Sequence, residues 1–146
     1  MDSLNNKVNK NILIIDDEID VLNFLKIYVE SLGWKATIAS STKEAFEYLK
    51  TEEFFLILTD IAMPEMDGYE FISKIKDIGI NSQIVLMTGF GYNPKHTLIK
   101  IFRSTKVPCL FKPFNRVKLS EAIKQAYLEF NKDIITKYSS SEQSSF

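Results

Sequence analysis

Acidic residues follow two apolar, β-branched runs: Asp16-Asp17-Glu18 follows Ile12–Ile15, and Asp60 follows Phe54–Thr59. A hydroxyl and a glycine, Thr88-Gly89, follow the run Gln83–Met87, and Lys112-Pro113 follows Val107–Phe111. Carboxylates brought into one crevice repel each other, and their charged forms then need a cation close by. Mg²⁺ is a hard, oxygen-seeking ion that joins carboxylates to phosphates. Lys112 would add a positive point charge, and Thr88 a hydroxyl. Such a set suits a phosphoryl group, with one carboxylate as nucleophile. Taken singly, each residue reads more plainly, as a solvated loop acid, a hydroxyl bonded to its own backbone, or a surface lysine. The chemical reading therefore depends on elements that bring the four places together.

The spacing of apolar residues supplies those elements. Asn11–Ile15, Lys35–Ala39, Phe54–Thr59, Gln83–Met87 and Val107–Phe111 read as five strands, mostly continuous apolar runs of the kind buried on both faces of a parallel sheet. Between them lie helical stripes. The first holds Val21, Leu22, Leu25, Tyr28, Val29 and Leu32, with Gly33 as its stop. The second starts at a capping box, Ser41 and Glu44, and runs through Ala45, Tyr48 and Leu49. A loop marked by Pro64, Asp67 and Gly68 precedes the third, Phe71, Ile72, Ile75 and Ile78, which Gly79 follows. Asn93-Pro94 opens a fourth, with Leu98, Ile101 and Phe102. Leu119, Ala122, Ile123, Ala126, Tyr127 and Phe130 face the core from the last, and Ile134 and Tyr138 continue its phase. Strands alternating with helices predict an α/β fold, a parallel sheet with helices on both faces. Ligands of such sheets bind at the carboxyl ends of the strands, where all four polar places fall.

Length and composition suit one domain: 146 residues, 45% apolar, with 18 basic and 19 acidic side chains for a net charge of −1. That balance gives no basic surface for nucleic acid and none for a membrane. The single cysteine, Cys109, excludes an internal disulfide and suits a reducing compartment. Neither a signal-peptide pattern nor a membrane-spanning apolar run is present, so a soluble, cytoplasmic protein is expected. Residues 1–10 read as a polar leader, 11–131 as the domain, and 132–146 as a helix extension with a disordered Ser-rich tail from Ser139.

The set Asp16-Asp17, Asp60 through Gly68, Thr88-Gly89 and Lys112-Pro113-Phe114 closely resembles the receiver domain of bacterial two-component response regulators. The resemblance spans roughly residues 11–130. It implies a flavodoxin-like, doubly wound five-stranded parallel sheet in the order 2-1-3-4-5. It implies that Asp60 is the phosphoacceptor and that Asp17, Asp60 and the backbone carbonyl of Ala62 bind Mg²⁺, with Asp16 helping directly or through water. It further implies that Lys112 pairs first with the acceptor carboxylate and then with the phosphoryl oxygens. Thr88 matches the switch hydroxyl, and the peptide bond to Pro113 is typically cis in the family. The implied donor is a sensor histidine kinase or a histidine phosphotransfer protein, and the implied output is contact with a downstream protein.

Two positions depart from the family pattern. Cys109 stands three residues before the lysine, where the family usually has Tyr or Phe, and the span from Thr88 to Lys112 is slightly long. With no ring at 109, the response to phosphorylation is expected to centre on residues 88–95, around the Gly89-Phe90-Gly91 loop. Cys109 reads as a small core residue ahead of a redox sensor, and His96 as an exposed side chain without metal-binding partners nearby in sequence.

The residues after Phe130 are too few for a DNA-binding output domain, so a stand-alone receiver is the leading expectation, with a receiver portion of a hybrid kinase as the alternative. A phosphatase that forms an aspartyl phosphate belongs to a different class. The dehalogenase-like kind needs Asp-x-Asp after strand one, and Asp16-Asp17-Glu18 does not supply it. A flavin-binding protein of the same fold would need a phosphate loop rich in Ser, Thr and Gly in place of these acids. A pseudo-receiver used only for binding is disfavoured, because every acceptor-site residue is present.

Overall fold

Apolar runs free of polar interruption become strands, and helices cover them from both sides. The computed structural model describes residues 8–61, 63, 68–89, 107–113 and 115–144. The strands are β1 (Asn11–Ile15), β2 (Lys35–Ala39), β3 (Leu56–Asp60), β4 (Gln83–Thr88) and β5 (Cys109–Phe111). All neighbours are parallel, in the order β2-β1-β3-β4-β5. This is the flavodoxin-like order that the resemblance implied. The helices among the described residues are α1 (Ile19–Ser31), α2 (Thr42–Thr51), α3 (Gly68–Asp77) and α4 (Arg116–Ser144). The helix expected from Asn93-Pro94, together with His96, lies outside the described residues, as do most of the Gly89-Phe90-Gly91 loop and the loop residues Pro64 and Asp67.

The period of two along each strand divides the core. Ile12, Ile14, Leu56, Leu58, Val85 and Met87 pack with Leu22, Leu25 and Val29 of α1 and Leu119, Ile123 and Ala126 of α4. Leu13, Ile15 and Ile57 face the other way, onto Ala45 of α2 and Phe71 and Ile75 of α3. β3 is buried over its whole length, Asp60 included. A charge placed there needs partners within the protein.

Local chemistry ends the helices where the sequence suggests. At Gly33, φ is +98°; its N–H donates to Glu30 O and that of Trp34 to Val29 O, the two bonds of a Schellman cap. Gly79 at φ +82° repeats the motif, with its N–H on Lys76 O and that of Ile80 on Ile75 O. The positive φ at both positions favours glycine. Ser41 Oγ accepts the Glu44 N–H at 3.1 Å, as the capping box predicts, while the Glu44 carboxylate accepts from Ser40 Oγ.

Several boundaries differ from the sequence reading. β3 begins at Leu56, two residues later than Phe54, because its pairing with Ile12 of β1 and Gln83 of β4 begins there. β4 extends through Thr88, held by pairing with Phe111. β5 begins at Cys109, since Pro108 has no N–H to donate; its carbonyl still accepts from Leu86 N. Ile78 falls past the end of α3 in the Gly79 turn and is 62% exposed, so it does not continue the buried stripe. The last helix runs to Ser144, through the Ser-rich stretch expected to be disordered. No Gly or Pro interrupts residues 116–144, and Ser, Glu and Gln each cost well under about 1 kcal/mol in a helix.

The start of α4 is fixed by Asn115, whose Oδ1 accepts the N–H groups of Val117 at 2.9 Å and Lys118 at 3.2 Å. We expect Asn115→Ala to destabilise the protein by about 1 kcal/mol, read from the urea midpoint. An unchanged midpoint would show that the cap is dispensable.

Candidate functional site

The parallel register carries the polar strand ends to one edge. Ile15 of β1 is opposite Thr59 of β3, so Asp16 and Asp60 follow side by side on adjacent strands. Ladder hydrogen bonds continue into the site. The Asp16 N–H donates to Ala39 O at 3.2 Å, Ile61 N–H to Met87 O at 2.9 Å, and Lys112 N–H to Thr88 O at 2.7 Å. The backbones on both sides of Asp60 are therefore held by the sheet, and α4 is anchored shortly after Lys112. There the Tyr28 hydroxyl donates to Arg116 O at 2.9 Å, and the Arg116 guanidinium lies 5.9 Å from the Tyr28 ring centre. The Lys112–Pro113 peptide bond is cis, as the resemblance implied.

Lys112 joins the two carboxylates. Its Nζ donates to Asp16 Oδ2 at 2.5 Å and to Asp60 Oδ2 at 2.9 Å, and its side chain is only 14% exposed. Asp16 is fully buried, and its other oxygen, Oδ1, accepts the Glu18 N–H at 2.9 Å, which turns the chain into α1. Burial pulls the Lys112 pKa down. The hydrogen bonds from Asp16 and Asp60 and the charges of both carboxylates outweigh it, so the ammonium is held above the ordinary 10.5.

Thr88 is 1% exposed, and its hydroxyl has no hydrogen-bond partner among the described residues. A buried hydroxyl left in that state costs free energy that an incoming acceptor would relieve. The neighbouring strand-end hydroxyl, Thr59, is instead satisfied by Asp60 O at 3.2 Å.

Carboxylate oxygens of Asp16, Asp17 and Glu18 lie within 4.8 Å of one another, with Asp16 buried and the other two exposed. An all-oxygen, acidic donor set at the rim of a crevice fits a hard divalent cation such as Mg²⁺. The structure thus brings together Asp16, Asp60 and Lys112 by ion pairs, gathers Asp17 with Asp16, and ties Thr88 to Lys112 through the backbone. Ala62 lies outside the described residues, so its carbonyl is not placed. Two features exceed the sequence reading. Glu18 joins the carboxylate cluster, which the Asp-Asp-Glu run already hinted at. Asp16 shares the lysine that the resemblance paired with Asp60 alone, and no one-dimensional signal marks that sharing.

Cys109 is half-buried against Ile61, Ile72 and Leu86, a small apolar residue beside the core. Among the described residues no helix is long and apolar enough to cross a membrane.

Comparison with known proteins agrees with this geometry. Residues 12–124 match the model of the response regulator receiver domain family. The response regulator receiver protein CpdR of Brucella abortus is 37% identical over 106 residues, covering 73% of this chain and 87% of CpdR. The transcriptional regulatory protein ZraR of Klebsiella oxytoca is 29% identical over 116 residues, which cover 80% of this chain and 26% of that longer protein. A CheY-like receiver domain structure from Methanospirillum hungatei superposes with a TM-score of 0.75 at 29% identity, covering 86% of this chain and 98% of that one. With the five-stranded order, the acidic edge and the bridging lysine all in place, the chain belongs to the response regulator receiver domain family.

Proposed function

We propose that this receiver is a phosphoacceptor switch in which Asp60 takes a phosphoryl group from a phosphohistidine on a sensor histidine kinase or histidine phosphotransfer protein. The observation that carries this reading is the Lys112 ammonium, held between Asp60 and Asp16 at the carboxyl edge of the sheet. A fixed cation beside a carboxylate nucleophile is in position to stabilise the negative oxygens of a phosphoryl group as it arrives.

In the reaction an Asp60 oxygen attacks phosphorus in line with the leaving imidazole. The O–P bond forms, the P–N bond breaks, and the imidazole keeps the electron pair. The ladder bond just after Asp60, from Ile61 N–H to Met87 O, helps hold the nucleophile in position. Lys112 turns one donor from the Asp60 carboxylate to the phosphoryl oxygens while Asp16 retains the other. The Thr88 hydroxyl, which has no hydrogen-bond partner among the described residues, donates to a phosphoryl oxygen. Asp16 and Asp17, with Asp60 and the Ala62 carbonyl, are the residues that would hold Mg²⁺, which when bound adds positive charge against the phosphoryl oxygens. Hydrolysis of the acyl phosphate by water returns Asp60 to a carboxylate and resets the switch. The family is one of signalling domains, so the output in this reading is contact with a downstream protein in the cytoplasm.

Three outcomes test the assignments. Acetyl phosphate with Mg²⁺ should add one phosphate-sized increment to the intact mass of the wild type and none to Asp60→Asn; an equal increment on both would move the acceptor elsewhere. Asp17→Asn should weaken Mg²⁺ binding at least about tenfold by calorimetry, and unchanged affinity would remove Asp17 from the metal set. For Lys112, a folded pKa raised above the unfolded value means that its stabilisation is complete below the unfolded pKa and is lost as pH rises through the folded one. In EDTA, the stability difference between wild type and Lys112→Met should hold steady through neutral pH and shrink only above 10.5. A difference that already vanishes near neutrality would contradict the buried bridge.

A further inference from the structure

The side of the sheet covered by α2 and α3 carries a groove that the acidic site does not use. It lies between the last turns of the two helices and has a volume of about 650 Å³. Phe46, Leu49 and Ile80, all half-buried, supply its apolar wall. Phe46 is held there by the buried ring of Phe71, centres 5.2 Å apart, so the hollow is formed before anything enters it.

Ile78 also lines this groove, and nothing within the chain accounts for its position. Its N–H still bonds Lys74 O at 3.1 Å, and the Gly79 cap closes directly behind it. The apolar contact that accompanies such a cap joins Ile75 and Ile80, which pack in one cluster. The cap therefore asks nothing of the Ile78 side chain, which is left 62% exposed. Its burial would be favourable.

The charges of the groove indicate what buries it. Lys74, Asp77 and Ile78 stand at i, i+3 and i+4 and share one helical face. Lys50 pairs with Glu47 on its own helix at 3.0 Å, whereas neither Lys74 nor Asp77 has an ion pair among the described residues. The groove thus holds, side by side, a projecting apolar side chain, a hollow, an unpaired cation and an unpaired anion. A two-fold interface between identical chains needs that combination, because each residue meets a different residue of the mate and the contact is repeated in reverse. An axis crossing this face midway between Lys74 and Ile78 sets two α3 helices antiparallel, with Lys74 of each copy beside Asp77 of the other. A partner of one charge sign would leave either the lysine or the aspartate unmatched.

We propose that this groove seats a second copy of the chain, Ile78 of each copy entering the groove of the other while Lys74 and Asp77 pair reciprocally across the axis. The pairing does not depend on the reading of Asp60. The patch is small beside a standard interface, so the pair forms and separates with concentration.

Sedimentation velocity of the full chain, without metal or phosphodonor, tests this from about 10 µM to about 1 mM, the range of weak association. The wild type should rise from the mass of one chain toward that of two. Ile78→Glu should weaken association at least about tenfold, because each pair forfeits the burial of two isoleucine side chains. Lys74→Asp and Asp77→Lys should each weaken it alone. An equal mixture of those two variants should restore it, because the mixed pair again sets opposite charges against each other at both contacts. Lys74, Asp77 and Ile78 are all exposed, so these variants keep the fold. A wild type that stays at the mass of one chain throughout overturns the proposal, and is the result expected of a groove that takes a different protein. A dimer that Ile78→Glu leaves intact, or charge variants that do not recover on mixing, overturn it as well.

Discussion

Two carboxylates on adjacent parallel strands, bridged by one partly buried ammonium, set the terms for the rest of the molecule. Asp16 and Asp60 emerge side by side because β1 and β3 pair in register, and Lys112 reaches both from β5, two strands beyond β3. Desolvating three charges is costly, and a buried ion pair is weak evidence of net stability. Removing one member is a different matter, because it leaves an uncompensated buried charge. The arrangement is therefore better understood as a fixed electrostatic site whose cost the core must offset than as a source of stability.

One part of the core that offsets it lies at the far edge of the sheet from the chemistry. Trp34 and Phe55 precede β2 and β3 at the amino edge of the sheet, and with Tyr127 and Phe130 of α4 they form a connected aromatic group with ring centres 5.0–6.5 Å apart. The two Schellman caps, at Gly33 and Gly79, likewise follow helices that run back toward that edge. Beside the buried Asp16–Lys112–Asp60 bridge, the carboxyl edge carries a hydroxyl without a partner among the described residues, the exposed carboxylates of Asp17 and Glu18, and the half-exposed Phe111 ring. Function needs groups that can exchange partners, and those are the groups left unsettled.

Much of the fold was legible because its signals are local. Apolar runs marked all five strands, and the order of the strand-end motifs pointed to one edge. The glycines at 33 and 79 and the Ser41–Glu44 spacing marked helix ends whose hydrogen bonds the structure contains. Boundaries moved where a neighbour decided them, as in the late start of β3 and the Pro108 limit on β5. The Asn115 cap was missed although its signal, an Asn just before an apolar-periodic stretch, was present. Ile78 was misread because its spacing fits the stripe while the chain has already left the helix.

The sequence by itself determined which residue types reach the carboxyl edge, since strand periodicity, caps and motif order are properties of a few consecutive residues. It also determined that the charges at or directly after the strand ends would be acids with one lysine, Asp16, Asp60 and Lys112. Only the tertiary structure decided how those charges are shared. Asp16 became a fully buried partner of Lys112, although 96 residues of chain separate them, because register across the sheet closes that distance; the Thr88 hydroxyl has no hydrogen-bond partner among the described residues. Register also decided that the aromatic beside Thr88 is Phe111. A step of one residue along β5 would have put that ring on the opposite face, since side chains alternate with period two.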